Sequence, residues 1–409
     1  MADLVLYTDS YPYNRAETFL ETEILYLSDV FDSIYIRPMT GEGMRRDLPL
    51  NVHVLDSLGA KNCPKATMYF SGFINLFILF SEKSLRRNLS SVSFLKAIKY
   101  MGYGIWLKNK IKKDPFKNEA VHYSYWMDYW AIALALLARE KIITDFVSRA
   151  HRYDLYTGTG EPALDFLKPF TINYLKKLYL ISENGFSFIN KLYPEYSQKY
   201  CLSKLGTSDP GFTCLQNKNN NLILVSCSNL KPLKRVDLIL DALVIFNRAH
   251  PDSEIMWFHM GDGDALDQLI EQADKTLGET NVKCKFKGSL SNSEVIKFYH
   301  NQPVDVFLNV SETEGIPVSI MEAQSFGIPV IATSTGGTPE IVNNINGLLL
   351  DVNLKPEELA TVLYQVYSDK ESWAGKRICS RKSWEENFKA ENNYRNFSLE
   401  LAGLKNNPA

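Results

Sequence analysis

Short apolar runs recur along the chain. Each is followed by a polar or glycine-bearing turn and then by a stretch whose apolar residues fall three and four apart. DLVLYT (3–8), SIYIRP (33–38), NVHVLD (51–56), AVHYSYW (120–126) and FVSRA (146–150) open this series, and YCLSKLGT (200–207) closes its first half. NLILVSCSNL (221–230), IMWFHM (255–260), VDVFLN (304–309) and IPVIAT (328–333) repeat it in the second half. Runs of this length without polar alternation predict strands buried on both faces, as in parallel sheets. Between them, AETFLETEILYLSD (16–29) places Leu20, Ile24 and Leu27 on one helical face, and WAIALALLAREK (130–141) reads as a buried helix. The alternation predicts an α/β chain of two doubly wound domains. The polar, turn-rich stretch 208–220 reads as a linker. It separates a domain over 1–207 from one over 221–382, and an amphipathic segment, 383–409, follows.

Residues 311–342, SETEGIPVSIMEAQSFGIPVIATSTGGTPEIV, hold the densest pattern. A polar turn, Ser311 to Gly315, leads from strand to helix. Pro317 suits the first helical turn, where a missing N–H costs nothing, and Gly327 caps the helix end. A second strand and the turn TGGTPE (335–340), expected to open another helix, complete the repeat. Both turns leave the carboxyl ends of parallel strands, where open α/β sheets bind ligands. Free N–H groups around Ser319 and Ile320 make an anion site. Glu314 before that site and Glu322 beyond it accept hydrogen bonds from hydroxyls. The set suits a ligand with hydroxyls at both ends and phosphate between, such as a nucleotide sugar. The plain alternative is a solvated turn with a Glu favouring the helix dipole; the doubled Gly336-Gly337 followed by Glu340 favours the ligand.

The same stretch resembles the E-x7-E signature of retaining glycosyltransferases of family 4, of the bacterial surface-polysaccharide type, with its trailing GG-x-x-E. The resemblance implies that Glu314 contacts the donor sugar, that Glu322 holds the ribose, and that the helix start, Gly315, Ile316, Pro317, Val318 and Ser319, holds the diphosphate. KPLKRVD after Asn229-Leu230 is similar to the family's G-R-L-x-x-x-K-G-x-D. By that correspondence Lys234 neutralises the leaving diphosphate, Asn229 stands at the usual Arg, and Arg235 replaces the Gly and is expected either to supply the lost charge or to point at solvent. The G-D-G of Gly261 and Gly263 is expected to let the nucleotide approach the backbone, with a simple tight turn as the alternative, and groups near Phe286 to Gly288 to read the base. FVSRAHRYDL resembles the family's S-R-A-H-x-Y-D-L, placing His151 toward the donor sugar and Arg152 and Asp154 in the cleft. Glu17 and Thr18 are expected either to line the acceptor cleft or to cap a helix. The fold implied is GT-B, two Rossmann-like domains facing across a cleft. A C-terminal helix is to return to the first domain, with Trp384 and Phe388 as its anchors.

The activity implied is retaining transfer of a hexosyl unit from a nucleotide diphosphate sugar to a glycan or lipid-linked acceptor. No cofactor and no metal are expected. Two rivals stay open: a sugar-nucleotide isomerase of the 2-epimerase type, and an inactive partner subunit. Composition changes this picture in one place. With 45% hydrophobic and 22% charged residues and net charge −2, the chain as a whole does not call for nucleic acid. Residues 83–117, however, carry ten Lys and Arg against one acidic residue, Asp114, with aromatics between them. That segment is expected to touch an anionic membrane surface, with a solvated helix pair on the flank of the first domain's sheet as the alternative. The apolar run 68–80 is too short to span a bilayer. Six scattered cysteines without C-x-x-C spacing read as buried thiols of a reducing compartment, and the N-terminus reads as a strand start rather than a signal peptide. The expected location is cytoplasmic, peripheral on the inner face of the cytoplasmic membrane.

Overall fold

The structure, a computed structural model, describes residues 2–13, 17–59, 63–79, 91–116, 120–156 and 162–404, with side chains at 67, 76–79, 91–94 and 162–164 outside that set. The chain forms two compact units, Met1–Lys204 with Asn393–Ala409, and Leu205–Asn392. Unit 1 is built on seven strands, β1 (Asp3–Thr8), β2 (Ile34–Pro38), β3 (Val52–Val54), β4 (Ala120–Ser124), β5 (Phe146–Ala150), β6 (Lys177–Leu180) and β7 (Tyr200–Leu202), in the order β3-β2-β1-β4-β5-β6-β7. Every pairing is parallel. The helices between them are α1 (Leu20–Ser28), α2 (Lys65–Leu79), α3 (Ser91–Ile111), α4 (Tyr129–Arg139), α5 (Arg152–Leu155), α6 (Pro162–Tyr174) and α7 (Glu183–Leu192). β4 and β5 are buried at every position because helices cover both sheet faces.

α1 starts at Leu20, later than its pattern predicts. Glu17 adopts φ +54°, and its carboxylate folds back to accept the N–H groups of Asp9 (3.0 Å), Ser10 (2.8 Å) and Tyr11 (2.7 Å). A side chain bonding local backbone in this way competes with the helix and delays its start. The basic segment also differs from its expectation. α3 is a core helix: Ala97, Ile98, Met101, Ile105 and Ile111 are buried. Lys108 is itself buried, and both Lys108 and Lys112 are ion-paired to Glu140. The charges of 83–117 therefore do not form one solvent-facing stripe; Lys83, Arg86, Arg87 and Lys117 lie outside the described residues. Among the described residues no helix is long and apolar enough to cross a membrane. Of the six cysteines, all free, only Cys214 is fully buried.

Unit 2 has six strands, β8 (Leu222–Cys227), β9 (Ile255–Met260), β10 (Val282–Phe286), β11 (Val306–Asn309), β12 (Val330–Thr333) and β13 (Gly347–Leu350), in the order β10-β9-β8-β11-β12-β13, again all parallel. Its helices are α8 (Val236–Ala249), α9 (Leu266–Leu277), α10 (Asn292–Asn301), α11 (Val318–Ser325), α12 (Pro356–Ser368) and α13 (Lys370–Asn387). The strand order reverses between β8 and β11, the switch point at which doubly wound sheets bind ligands. The stretch 208–220 lies on unit 2: the Cys214 N–H donates to the Phe326 carbonyl (2.8 Å), and Asn217 Nδ2 to Asp305 (2.7 Å). The helix expected after TGGTPE is a single 3-10 turn, Thr338–Glu340. Residues 334–346 alone join β12 to β13, and the Asn346 side chain folds them into a compact loop by bonding the Ile341 carbonyl (2.8 Å) and the Asn343 N–H (2.9 Å).

α14 (Ala390–Gly403) is the last helix, and from Asn393 on it belongs to unit 1. Its buried apolar side chains there are Tyr394, Phe397 and Leu401. Trp384 and Phe388, expected as its anchors, are instead buried in unit 2, where Trp384 Nε1 donates to Thr207 Oγ1 (2.7 Å). Under α14 lies an ion pair with both side chains fully buried. Arg149 Nη1 meets Glu23 Oε2 at 2.7 Å, Tyr123 Oη donates to Glu23 Oε1 (3.0 Å), and the guanidinium sits 4.1 Å from the Phe397 ring centre.

Candidate functional site

In unit 2 the candidate residues converge at the carboxyl ends of β8 and β11. After β8 a 3-10 turn, Pro232–Lys234, raises Lys234, and Arg235 in the left-handed region (φ +49°) turns the chain into α8. After β11 the loop to α11 carries Glu314. The loops are stitched by the Glu312 N–H to the Leu233 carbonyl (2.9 Å). Lys234 Nζ then meets Glu314 Oε1 at 2.5 Å, with Asn309 Nδ2 on the same oxygen at 3.5 Å. Glu314 is buried and Lys234 half-buried.

The doubled glycine fixes that loop. Gly336 has φ +54°, and a Cβ there would lie 1.9 Å from the Glu314 carbonyl oxygen. Gly337 donates its N–H to the Gly315 carbonyl (2.7 Å). The turn after β12 thus presses directly on the backbone that presents Glu314, which only glycine permits.

Arg235 was expected either to carry charge toward the diphosphate or to point at solvent. Its guanidinium is committed elsewhere: Nε donates to the Val310 carbonyl (2.6 Å), Nη1 to the Val352 carbonyl (2.7 Å), and Nη2 lies 3.4 Å from the Ser311 carbonyl. It braces the ends of β11 and β13, and does not replace the Arg absent at Asn229. Asn229 is exposed and lines a cleft of about 640 Å³ together with Lys231, Asp262 and Gly263.

At α11, Gly315, Ile316 and Pro317 are buried, while Val318 and Ser319 are half-buried. The N–H groups of Val318 and Ser319 head the helix without intrahelical acceptors. That of Ile320, expected to be free, donates to the Pro317 carbonyl (3.1 Å). Along the same helix Glu322 accepts a hydrogen bond from Asn292 Nδ2 (2.6 Å). Burial lifts the Glu322 carboxyl from its ordinary 4.5 to about 7, partly offset by Asn292. Asn292 escaped the sequence reading, because nothing in SNSE beyond a helix cap links it to a carboxylate thirty residues later.

Beyond β9, Gly261 has φ +146° and a Cβ there would fall 1.7 Å from the Ser228 carbonyl oxygen. The chain's own backbone, before any nucleotide, requires glycine at this point. The Gly261 N–H donates to the Gly288 carbonyl (2.8 Å) and the Lys287 N–H to the His259 carbonyl (2.8 Å), so these groups near the expected base site are already paired within the sheet edge. Asp262 and Asp264 flank Gly263, and among the described residues no group of three or more His, Cys, Asp or Glu side chains is placed to hold a metal.

In unit 1 the candidates gather at the carboxyl ends of β4 and β5. His151 follows β5, is buried, and packs against Trp126 (ring centres 4.5 Å apart), Tyr125 (4.7 Å) and Phe19 (6.1 Å). Both its ring nitrogens lack a hydrogen-bond partner among the described residues. Asp154 fastens this corner by accepting the N–H groups of His151 (2.6 Å) and Met127 (2.7 Å). Arg152, half-buried, opens α5. Glu17 does not offer a free carboxylate to an acceptor. Besides its three backbone bonds it accepts Trp126 Nε1 at 2.6 Å, so it shapes the turn next to His151. Thr18 is exposed and its carbonyl accepts the Glu21 N–H (3.1 Å).

Comparison with known proteins agrees with this geometry. Residues 214–389 match the family model described as Glycosyl transferases group 1. The chain is 25% identical over 217 residues to the Escherichia coli O-antigen biosynthesis glycosyltransferase WbnH, covering 50% of this chain and 59% of that protein. It is 28% identical over 158 residues to the UDP-Gal:alpha-D-GlcNAc-diphosphoundecaprenol alpha-1,3-galactosyltransferase of Escherichia coli, covering 37% and 38%. These matches span less than two thirds of the relatives' own lengths. Among solved structures, Anabaena Alr3699/HepE in complex with UDP-glucose superposes with a TM-score of 0.68 at 14% identity, over 100% of both chains. With two parallel Rossmann-like units and a TM-score of 0.68 to that structure, the chain has the GT-B fold, and residues 214–389 are similar to the glycosyl transferases group 1 family.

Proposed function

We propose that the chain is a retaining glycosyltransferase of family 4. It moves a hexosyl unit from a nucleotide diphosphate sugar to a glycan or lipid-linked acceptor in surface polysaccharide synthesis. The observation that carries this is the Lys234–Glu314 pair at 2.5 Å beside the open N–H groups of α11. With donor bound, the diphosphate takes Lys234 and the two N–H groups, whose charge and dipoles are preorganised for the negative charge that grows as the glycosidic bond breaks. Glu314, released from Lys234, accepts a sugar hydroxyl, and Glu322 the ribose diol. In unit 1, His151 Nε2, buried without a hydrogen-bond partner among the described residues, is assigned to a sugar hydroxyl, while Nδ1 stands 3.9 Å from Asp154 Oδ2. The departing phosphate takes the acceptor proton, so no protein nucleophile is assigned. The acceptor is carried at the inner face of the cytoplasmic membrane; the diphosphoundecaprenol named for one relative supports a lipid-linked one.

Incubation with a panel of nucleotide sugars, with and without glycan acceptors, tests this. Nucleoside diphosphate released together with a glycosylated product is the expected result. Turnover of the sugar nucleotide without acceptor indicates an isomerase instead, and no turnover of any donor an inactive partner. Lys234→Ala is expected to lower kcat more than it raises donor KM, by about 3–4 kcal/mol in all.

A further inference from the structure

The carboxylate of Glu322 is held by a surface residue of another helix. Asn292 is exposed at the first position of α10, yet its Nδ2 donates to Glu322 Oε1 at 2.6 Å. The start of α10 is itself fixed. The Ser291 N–H donates to Glu294 Oε2 (2.7 Å), and Ser291 Oγ accepts the Glu294 N–H (3.3 Å). Two turns on, the buried ring of Tyr299 packs on Phe326, the residue that ends α11, with ring centres 5.0 Å apart. α10 and α11 therefore stand in a set relation, and the amide is delivered to the carboxylate by two anchored helices. An exposed side chain gives up rotamer entropy to keep such a place.

This contact borders ligand space. Cys227, at the end of β8, lines a cavity of about 250 Å³ together with Ser289, Leu290 and Val295, which flank the start of α10. Glu322 acts on that wall: its charge adds to the burial that pushes the Cys227 thiol up to about 12, against the opposing pull of Lys234. It also adds to the burial that holds the Tyr299 hydroxyl well above its ordinary value. Both neighbours are therefore neutral near pH 7, and Asn292 is the polar partner that relieves the buried Glu322. An ionised carboxylate only accepts, so Asn292 turns its NH2 to it; a protonated carboxyl donates, and the same amide can turn its oxygen instead. Asn292 thus holds the group in either charge state. A carboxylate oxygen has a second lone pair, so Asn292 leaves room on Oε1 for a ligand hydroxyl.

We infer that Asn292 is a positioning residue of the nucleotide site: it orients Glu322 so that both carboxylate oxygens meet the 2′- and 3′-hydroxyls of a ribose, and so sets a preference for ribonucleotides over 2′-deoxyribonucleotides. This rests on the ribose role proposed for Glu322 above. Calorimetry is run on the full chain with uridine, guanosine and their 2′-deoxy counterparts. Asn292→Ala is expected to weaken the better-bound ribonucleoside about tenfold and its 2′-deoxy counterpart less, with an unchanged melting temperature. Asn292→Asp suits the start of a helix, so the melting temperature is kept or raised. Its carboxylate opposes Glu322, and the rise of nucleoside affinity with pH is expected to move to higher pH. A merely structural residue would move the melting temperature and leave the ribose preference and the pH profile alone. In the Glu322→Ala chain, adding Asn292→Ala is expected to cost no further affinity. Wild-type affinity, ribose preference and pH profile in the two Asn292 variants overturn the inference, as does an equal loss for ribonucleosides and deoxyribonucleosides. A wild type that binds none of the nucleosides, or a Glu322→Ala chain that binds them as wild type does, removes the ribose role itself. Failure of every donor in the sugar-nucleotide panel, with these binding changes intact, removes the glycosyltransferase function and leaves the positioning role standing.

Discussion

Glu322 is the residue whose charge state is most exposed to experiment. Its carboxyl is pushed up to about 7 because burial penalises the ion more than Asn292 relieves it. A carboxyl raised above its ordinary value binds its proton more tightly in the folded chain. Its contribution to stability is therefore fully present below about 4.5 and declines as pH rises through about 7. In the role proposed for Glu322, ligand binding runs the other way, since the ionised carboxylate is the stronger acceptor for a ribose diol. Calorimetry with a nucleoside, which keeps diphosphate titration out, is expected to show affinity rising from about pH 6 to about pH 8, and Glu322→Gln to flatten that rise. Glu322→Ala is expected to weaken nucleotide binding by about 1.5–3 kcal/mol with the melting temperature maintained. Glu314→Ala is expected to cut transfer by orders of magnitude while affinity for the sugar-free nucleotide diphosphate hardly moves. Because Glu314 and Lys234 hold each other, their double variant is expected to cost clearly less than the sum of the singles in kcat/KM. Additive losses would mean that the pair does not act as a unit.

At the scale of elements, the strands and most helices were legible as apolar runs and periodic faces, and the turns between them as glycine and polar clusters. What escaped was decided by side chains reaching across elements. The late start of α1 follows from Glu17 bonding the turn after β1, and the missing helix after β12 follows from Asn346 closing a short loop. Sequence marks Glu17 as a helix-start residue, a label that does not say which backbone it will hold, and it carries no signal for the contacts of Asn346. The doubled glycine is the reverse case. Its presence was visible, but its reason is contact with a different loop. Gly336→Ala is expected to push the Glu314 loop out of place. Transfer should fall strongly, with a stability loss of about 1–3 kcal/mol from the left-handed backbone and the displaced carbonyl. A fully active Gly336→Ala enzyme would separate that turn from the site.

Across the whole molecule, the C-terminal helix joins unit 1 over a buried ion pair whose members lie far apart in sequence. Burying two charges is tolerated here because Tyr123 satisfies Glu23 and Phe397 covers the guanidinium. Arg149→Met strands a buried carboxylate and is expected to cost about 3–5 kcal/mol in denaturant unfolding; Arg149→Met/Glu23→Leu should recover most of it. If the double variant is no better than the single, the pair itself, and not the stranded charge, holds the helix.

Arg149 also marks where the sequence stops being informative. In S-R-A-H the Arg stands two residues before His151, and strand spacing alone would put both on one face; in the structure Arg149 pairs with Glu23 in the core, while His151, past the end of β5, packs against Trp126. The order of strands and helices, the two-unit plan, and the charged and glycine residues of the group 1 domain are properties of local pattern, so the sequence alone determined them. Three assignments needed tertiary structure: Arg235 turned onto carbonyls, Asn292 bound to Glu322, and the basic helix α3 packed into the core. Each depends on which partner a side chain meets across tens of residues, and a one-dimensional pattern holds no record of that distance.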